Sequence, residues 1–399
     1  MLGIIQTHPV QYHAPIFRAL QQRFGIPVTA IYGSDCSVVG YHDLEFGETI
    51  AWDTDLLSGY TSVFLSQVAK AGAGAPEDVS PRGLRKALAH AGPKAVLLMG
   101  HSPHFHGFYQ TAFFHAWRAR IPILLHVEST DHVRPRSRIH GWMRDRVSQW
   151  FYRRCARLLY VGQRTHQHCQ RLGCPDGHLV SSPYGVDTTP FHWDEAARAR
   201  FRPRVRQRLG LAESQRALLF SGKLSQRKGV DLLLQAVQQL PSAIREGIAV
   251  LFMGNGELRE TLERLAHGPP SVNTLFLGFQ NQTDLSQYYQ AADLLVLPSR
   301  HSETWGLVVN EALHHGLPCV VSDAVGCAPD LIEPGVTGEI CQSGSAKSLA
   351  LGIERALRLS GRPDIRARCR QKMSGFALEH SAAGIAEAYR ASIDGTTVV

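Results

Sequence analysis

Short apolar runs of strand length alternate with longer segments of helical period, and this series occurs twice along the chain. In the first half "LGIIQT" (2–7), "VTAIYG" (28–33), "AVLLMG" (95–100), "PILLHV" (122–127) and "RLLYVG" (157–162) read as buried strands. Segments such as "APIFRALQQRF" (14–24) and "FYQTAFFHAWRAR" (108–120) separate them at helical spacing. Strands this uniformly apolar are covered on both faces, so the pattern predicts a parallel sheet of βαβ units. After a turn-rich link at 181–195 the series restarts with "RALLFSG" (216–222), "IAVLFMG" (248–254), "TLFLGF" (274–279), "DLLVLP" (293–298) and "PCVVSD" (318–323). The fold class expected is therefore α/β, two tandem Rossmann-like doubly wound domains with a cleft between facing sheet edges. Boundaries fall at 1–183 and 184–375. The final helical piece, 376–399, has no strand to follow it and can return to the first domain.

Other features narrow the classes. No apolar run is long enough to span a bilayer. The amino-terminal stretch lacks the basic region and cleavage site of a signal peptide. Eight cysteines without a disulfide-like framework suit a reducing cytosol, so a cytoplasmic location is expected. The net charge of +8 belongs to the first half: residues 1–185 hold 19 Lys and Arg against 12 Asp and Glu, and the rest 23 against 22. Ten of those arginines lie in 134–171, where Asp145 is the one acid. There Met143, Val147, Trp150 and Phe151 fall at helical spacing, which leaves the arginines mainly on the other faces. Such a face is either plainly solvated or drawn to an anionic surface, including a membrane. Nucleic acid is not expected, because no motif of that class accompanies the charge.

Three loops of the second half share one chemical character. "SGKLSQRKGVD" (221–231) carries Gly222, Lys223, Arg227 and Lys228 between a strand and a helix, an arrangement suited to an anion. "MGNGEL" (253–258) places Gly254, Asn255 and Gly256 after another strand, permitting close backbone approach. In "HSETWGLVVNEALHHGLPCVVSD" (301–323), Glu303 lies in the loop after a strand and Glu311 lies in a helix predicted over 306–315. Gly306 near that helix start lets backbone amides face a diphosphate. Carboxylates would repel phosphate, so their partners should be neutral hydroxyls. A diphosphate flanked by two polyol ends describes a nucleotide sugar.

The run "SETWGLVVNEALHHGLPCVVSD" resembles the paired-glutamate motif of retaining glycosyltransferases of the GT-B fold, family 4 (glycosyl transferases group 1). "SGKLSQRKGVDLLLQA", "MGNGEL", "YGVDTTPF" and "VGCAPDLIEPGVTGEI" are similar to the family's accompanying segments. The resemblance is strong over 180–345, and "THPVQYHAPIFRAL" and "FGETIAWDTDLLSGY" extend it into the first half. It implies a donor site of Gly222, Lys223, Arg227, Lys228, Gly254, Asn255, Gly256, Phe279, Glu303, Thr304, Trp305, Gly306, Leu307, Val308 and Glu311. Lys223 and Lys228 would hold the diphosphate, Glu303 the transferred sugar and Glu311 the ribose. Lysine replaces the family's usual arginine at 223 and lacks its bidentate fork. Cys327 and Asp330 stand where the family more often has Gly and Glu, and carry no role.

The acceptor would bind the first domain. Candidates are His8 and His13 after the first strand, His101, and His126 or Glu128 after the strand at 122–127. Glu128 is preferred as the substrate-facing group and is counted with Glu303, Lys228 and Lys223 as catalytic. His101, His104 and His106 lack a recognised ligand pattern, and Cys169, Cys174 and a histidine in 166–178 read as ordinary helix and turn residues. Neither a metal nor a cofactor is expected. The reading is retaining transfer from a nucleotide-diphosphate sugar, UDP by family frequency, to a hydroxyl in a glycan, lipid-linked or natural-product acceptor. An epimerase or phosphorylase on the same fold and a non-catalytic binding partner are the alternatives.

Overall fold

A computed structural model describes residues 1–43, 47–100, 103–131 and 138–394. His101, Arg134 and Arg136 lie outside the described residues. The first half contributes β1 (Leu2–Gln6), β2 (Val28–Ser34), the short strands β3 (Tyr41–Asp43) and β4 (Glu48–Ile50), β5 (Thr61–Ser66), β6 (Ala95–Leu98), β7 (Ile123–Val127), β8 (Arg157–Tyr160) and β9 (Leu179–Ser181). Seven of them form one parallel sheet in the order β5-β2-β1-β6-β7-β8-β9, and β3 and β4 pair as a separate antiparallel hairpin. The second half contributes β10 (Arg216–Ser221), β11 (Ile248–Met253), β12 (Asn273–Gly278), β13 (Leu294–Leu297), β14 (Cys319–Ser322) and β15 (Gly338–Cys341). They form a six-stranded parallel sheet in the order β12-β11-β10-β13-β14-β15.

The doubly wound α/β expectation is met: each sheet has its own apolar core, and its order reverses once. The reversal falls between β1 and β6 in the first sheet and between β10 and β13 in the second. Loops leaving the carboxyl ends of such neighbours diverge and open a crevice, the usual ligand site of open α/β sheets. All ten apolar runs are strands. Sequence reading misses the hairpin strands β3 and β4, the edge strand β5 with half-covered side chains, β9 of three residues, and β15, which opens on a glycine.

The helix Leu378–Ile393 lies on the first sheet, beside the helix Ala14–Gln22. It inserts Ala382, Ile385, Ala386, Ala388 and Tyr389 into that core. The chain thus crosses back from the second sheet to the first.

One expectation about packing holds only in part. In the helix Arg138–Tyr152, Phe151 is buried and Trp150 half-buried, but Met143 and Val147 are 54% and 40% exposed. The buried side is made by Ser148, Phe151 and Tyr152. Phe151 packs edge-on to Phe113 at 4.6 Å, and Ser148 Oγ lies 3.1 Å from His104 Nε2. Two apolar stripes at helical spacing therefore exist on this helix, and only one meets the core.

A Cβ on Gly384 would lie 1.9 Å from the Ser181 carbonyl oxygen, so the returning helix touches β9 backbone to backbone. Gly384→Ala is expected to lower stability by about 1–3 kcal/mol through overpacking. Urea unfolding measures it; an unchanged midpoint would mean that the helix does not dock here.

Candidate functional site

At the second switch point the loop after β10 meets the loop after β13. The first carries Lys223, Arg227 and Lys228, the last two in a single 3₁₀ turn before the helix Val230–Gln238. The second carries Glu303. Lys228 Nζ donates directly to Glu303 Oε2, and Ser299 Oγ donates to the same oxygen at 2.9 Å. Burial alone would raise the Glu303 pKa, but Lys228, Arg227 and Ser299 outweigh it and hold the carboxyl below its ordinary range. Arg227 donates to the Ser302 carbonyl at 3.3 Å, and Ser302 itself sits at φ +58°, a left-handed conformation uncommon outside glycine. Arg300 forms a two-pronged ion pair with Asp231, 2.7 Å on each prong, and donates to the Gln226 carbonyl at 2.9 Å. That clamp ties the two loops together.

The helix Leu307–His314 begins at Gly306, whose φ of +99° reverses the chain at the helix start. The amides around Gly306, Leu307 and Val308 therefore stand at a helix N-terminus beside Glu303 and Lys228, where an anion is favoured. Glu311 lies farther along the same helix and is buried. Tyr289 donates to its Oε2 at 2.7 Å, and Tyr12, from the loop after β1, donates to its Oε1 at 2.9 Å. Here burial outweighs the hydrogen bonds, and the carboxyl is raised above its ordinary pKa. The two glutamates thus differ in kind: Glu303 is paired with a cation, and Glu311 with hydroxyls.

Other predicted donor residues fall around this centre. Gly254 lets the loop after β11 touch the loop after β10, since a Cβ there would lie 2.0 Å from the Gly222 carbonyl oxygen. The Asn255 carbonyl accepts from the Leu224 amide at 2.8 Å, and Gly256 lies against Leu224. Thr304 is half-buried in the loop after β13. The side chain of Trp305 packs into the seam between the two halves. The indole is buried against Gly162 and Tyr184 and donates to Asn310 Oδ1 at 2.8 Å. An apolar ring at this chain reversal has more surface to bury in the interdomain seam than in a polar crevice.

At the first switch point, His8 and His13 follow β1, and His126 and Glu128 end and follow β7. Glu128 and His126 are buried together, with Oε1 of Glu128 accepting from Tyr184 at 2.5 Å and lying 3.3 Å from His126 Nδ1. His13 Nδ1 is 2.6 Å from Gln6 Nε2, and its ring stacks with Tyr184. Burial lowers the pKa of His8 to about 4 and of His13 to about 3, so both are neutral at pH 7 and serve as hydrogen-bonding groups rather than cations. His104 turns inward to Ser148, and His106 caps the helix Gly107–Arg118. Cys169 is buried on the helix Gln163–Arg171, and Cys174 follows it in the turn. Among the described residues no group of three potential ligands is placed to hold a metal ion.

Contacts across the crevice join the halves. Both Asp43 oxygens, on β3, lie 2.9 Å from Lys223 Nζ. Trp52 meets Phe279 edge-on at 5.9 Å, while Asn281 donates to the Ala51 carbonyl and Asp53 accepts from Thr283. Asp330 accepts from the Gln163 amide at 3.0 Å, capping a helix of the opposite domain. Tyr12, Tyr289, Asp43 and the Arg300–Asp231 clamp escape sequence reasoning. Only "PSRHSE" carried a signal, an arginine at the end of a buried strand.

Two family models match this chain: "Glycosyl transferase 4-like domain" over residues 64–185 and "Glycosyl transferases group 1" over residues 201–374. The chain is 27% identical over 207 residues to an uncharacterized glycosyltransferase of Methanocaldococcus jannaschii, covering 52% of each. It is 36% identical over 168 residues to the sulfoquinovosyl transferase of Arabidopsis thaliana, covering 41% of this chain and 30% of that one. It thus spans about half, or less, of the length of these curated relatives. The crystal structure of Anabaena HepE in complex with UDP superposes with a TM-score of 0.70 at 18% identity, covering 98% of this chain and 99% of that one. With a match in each half, and the same two-domain architecture along its length, the chain belongs to the GT-B glycosyltransferases of the group 1, family 4 type.

Proposed function

We propose that the protein is a retaining glycosyltransferase that moves a sugar from a UDP-sugar to an acceptor hydroxyl. One observation carries the reading: Lys228, Glu303 and the helix start at Gly306 converge at the second switch point, where Tyr12 from the first reaches Glu311. The HepE complex with UDP supports the choice of donor. The diphosphate lies at the helix start, with Lys228 and Lys223 on its oxygens. Glu303 accepts from hydroxyls of the sugar, and Glu311 from the ribose. His8, His13, His126 and Glu128 border the acceptor side. The acceptor oxygen bonds to the anomeric carbon on the face that the diphosphate leaves, and the carbon–phosphate-oxygen bond breaks. The hydroxyl proton passes to the departing phosphate oxygen, so charge balances and configuration is kept. Cations and helix amides stabilise the growing phosphate charge, which is the dominant contribution in chemistry of this type.

Incubating nucleotide sugars without acceptor tests the reading through slow hydrolysis, and proton NMR of the released or transferred sugar reads the anomeric configuration. Inverted product would remove retention; free epimerised nucleotide sugar, or cleavage that depends on added phosphate, would remove transferase chemistry. Lys228→Ala should lower kcat/KM by about 10²–10³-fold, the loss typical of one oxyanion-stabilising donor. An unchanged rate would take Lys228 out of leaving-group stabilisation.

Tyr12 occupies an oxygen of Glu311 that the ribose requires, so donor and tyrosine compete. Tyr12→Phe should tighten UDP binding about fivefold, the value of one ordinary hydrogen bond of about 1 kcal/mol, measured calorimetrically. Weaker binding would mean that Tyr12 assists the nucleotide instead.

Ionised Glu311 is the better ribose acceptor, and its pKa is raised. UDP affinity is then full above that raised value and falls as pH drops through it, earlier than an ordinary glutamate would allow. Glu311→Gln should weaken binding and flatten this limb. A limb that persists in the variant would belong to another group.

A further inference from the structure

The exposed side of the helix Arg138–Tyr152 has no counterpart in the transfer chemistry. Trp142 and Met143 lie three and four residues after Ile139, and Val147 four after Met143, with Ile139 72% and Trp142 60% exposed. The stripe continues through half-buried Trp150 to Phe114 and Trp117 on the neighbouring helix, whose rings lie 5.8 Å and 6.1 Å from it. Scattered exposed apolar residues are ordinary, but a contiguous band of this size on one face marks an interaction surface.

Its charge identifies the partner. Arg146 sits over the Trp142 ring at 5.4 Å, and Arg154 over Trp150 at 3.9 Å and Trp117 at 5.8 Å. Guanidinium groups and indole faces thus share one level, the arrangement by which amphipathic side chains sit at a bilayer interface. The helix's acid, Asp145, is drawn aside into ion pairing with Arg171. Arg153 and Arg154 also line a recess of about 420 Å³ beside Trp117, together with Arg120. Apolar side chains that project from a basic face fit a soft, negatively charged surface better than a protein groove. We infer that this face docks the protein on an anionic lipid bilayer, with Trp142 and Ile139 entering the headgroup region and the arginines meeting lipid phosphates.

The docking does not rest on the transferase reading. Flotation with phosphatidylcholine vesicles, with and without phosphatidylglycerol, at low and high salt, tests it. The full chain should bind the anionic vesicles, weakly bind the neutral ones, and lose affinity as salt rises. Ile139→Ser with Trp142→Ser should reduce affinity about tenfold or more. Arg146→Gln and Arg154→Gln should each reduce it about fivefold, the worth of one basic residue near such a surface. Lipids brominated on the acyl chain should quench tryptophan fluorescence in the wild type and lose most of that quenching with Trp142→Ser. These side chains are exposed, so unchanged thermal melting separates lost docking from lost folding. No binding to anionic vesicles, or binding that none of the variants reduces, would overturn the inference. A concentration-dependent dimer dissolved by the Ile139 and Trp142 changes would overturn it as well, assigning the face to a second copy.

Discussion

Glu303 is a carboxylate taken almost wholly out of water, and such a group is stable only with its countercharge in place. That countercharge is Lys228, which lies 75 residues earlier in the chain. The pair forms because β10 and β13 are direct neighbours, in register at Leu218 with Leu294 and Leu219 with Leu295. The sheet order therefore fixes the pairing. Once the strands lie side by side, their loops must share the space at the carboxyl edge. The Arg300–Asp231 clamp and the left-handed Ser302 set the angle at which Glu303 enters it. Removing either member of the pair would leave a buried charge poorly compensated and loosen both loops, so local stability rests on this contact.

The contacts across the crevice resemble the proposed ligand in chemical kind. Lys223, assigned to a phosphate, is met by the Asp43 carboxylate. Glu311, assigned to ribose hydroxyls, is met by the hydroxyls of Tyr12 and Tyr289. An anion stands where an anion would bind, and hydroxyl donors stand where a diol would bind. Buried polar groups need such partners, because leaving one unsatisfied costs about 1–3 kcal/mol. In the proposed reading the donor exchanges these partners for its own, so its entry carries only the difference between the two sets. The opposite pKa directions of Glu303 and Glu311 follow from the same contrast: a cation compensates burial and a neutral hydroxyl does not.

The sheets were legible because strands buried on both faces are continuous apolar runs, a signal that survives without tertiary context. The glutamates, the lysines and the helix start were legible because they sit within a few residues of strand ends, where chain order and spatial order coincide. What crosses between domains was not. Tyr12 reaches Glu311 over 299 residues and Asp43 reaches Lys223 over 180, and no local pattern encodes either meeting. The packing of Trp305 was not legible either. Its place in the motif is local, while its large apolar ring packs against Gly162 and Tyr184 from the other half.

The helix Arg138–Tyr152 shows most clearly where periodicity ends as evidence. Its sequence holds two apolar stripes, one through Phe151 and Tyr152 and one through Ile139, Trp142, Met143 and Val147. Spacing alone gives both the same claim on the core. The choice between them is made by neighbours distant in sequence: Phe113 and His104 supply a surface for the first stripe, and nothing among the described residues covers the second. Hydrophobic periodicity thus reports that a face needs a partner without saying whether the partner is the rest of the chain. Arginine supplies the missing information here, because Arg146 and Arg154 accompany the uncovered stripe and lie across its rings. A face meant for the interior would carry the desolvation cost of those charges; a face meant for an anionic interface gains from them.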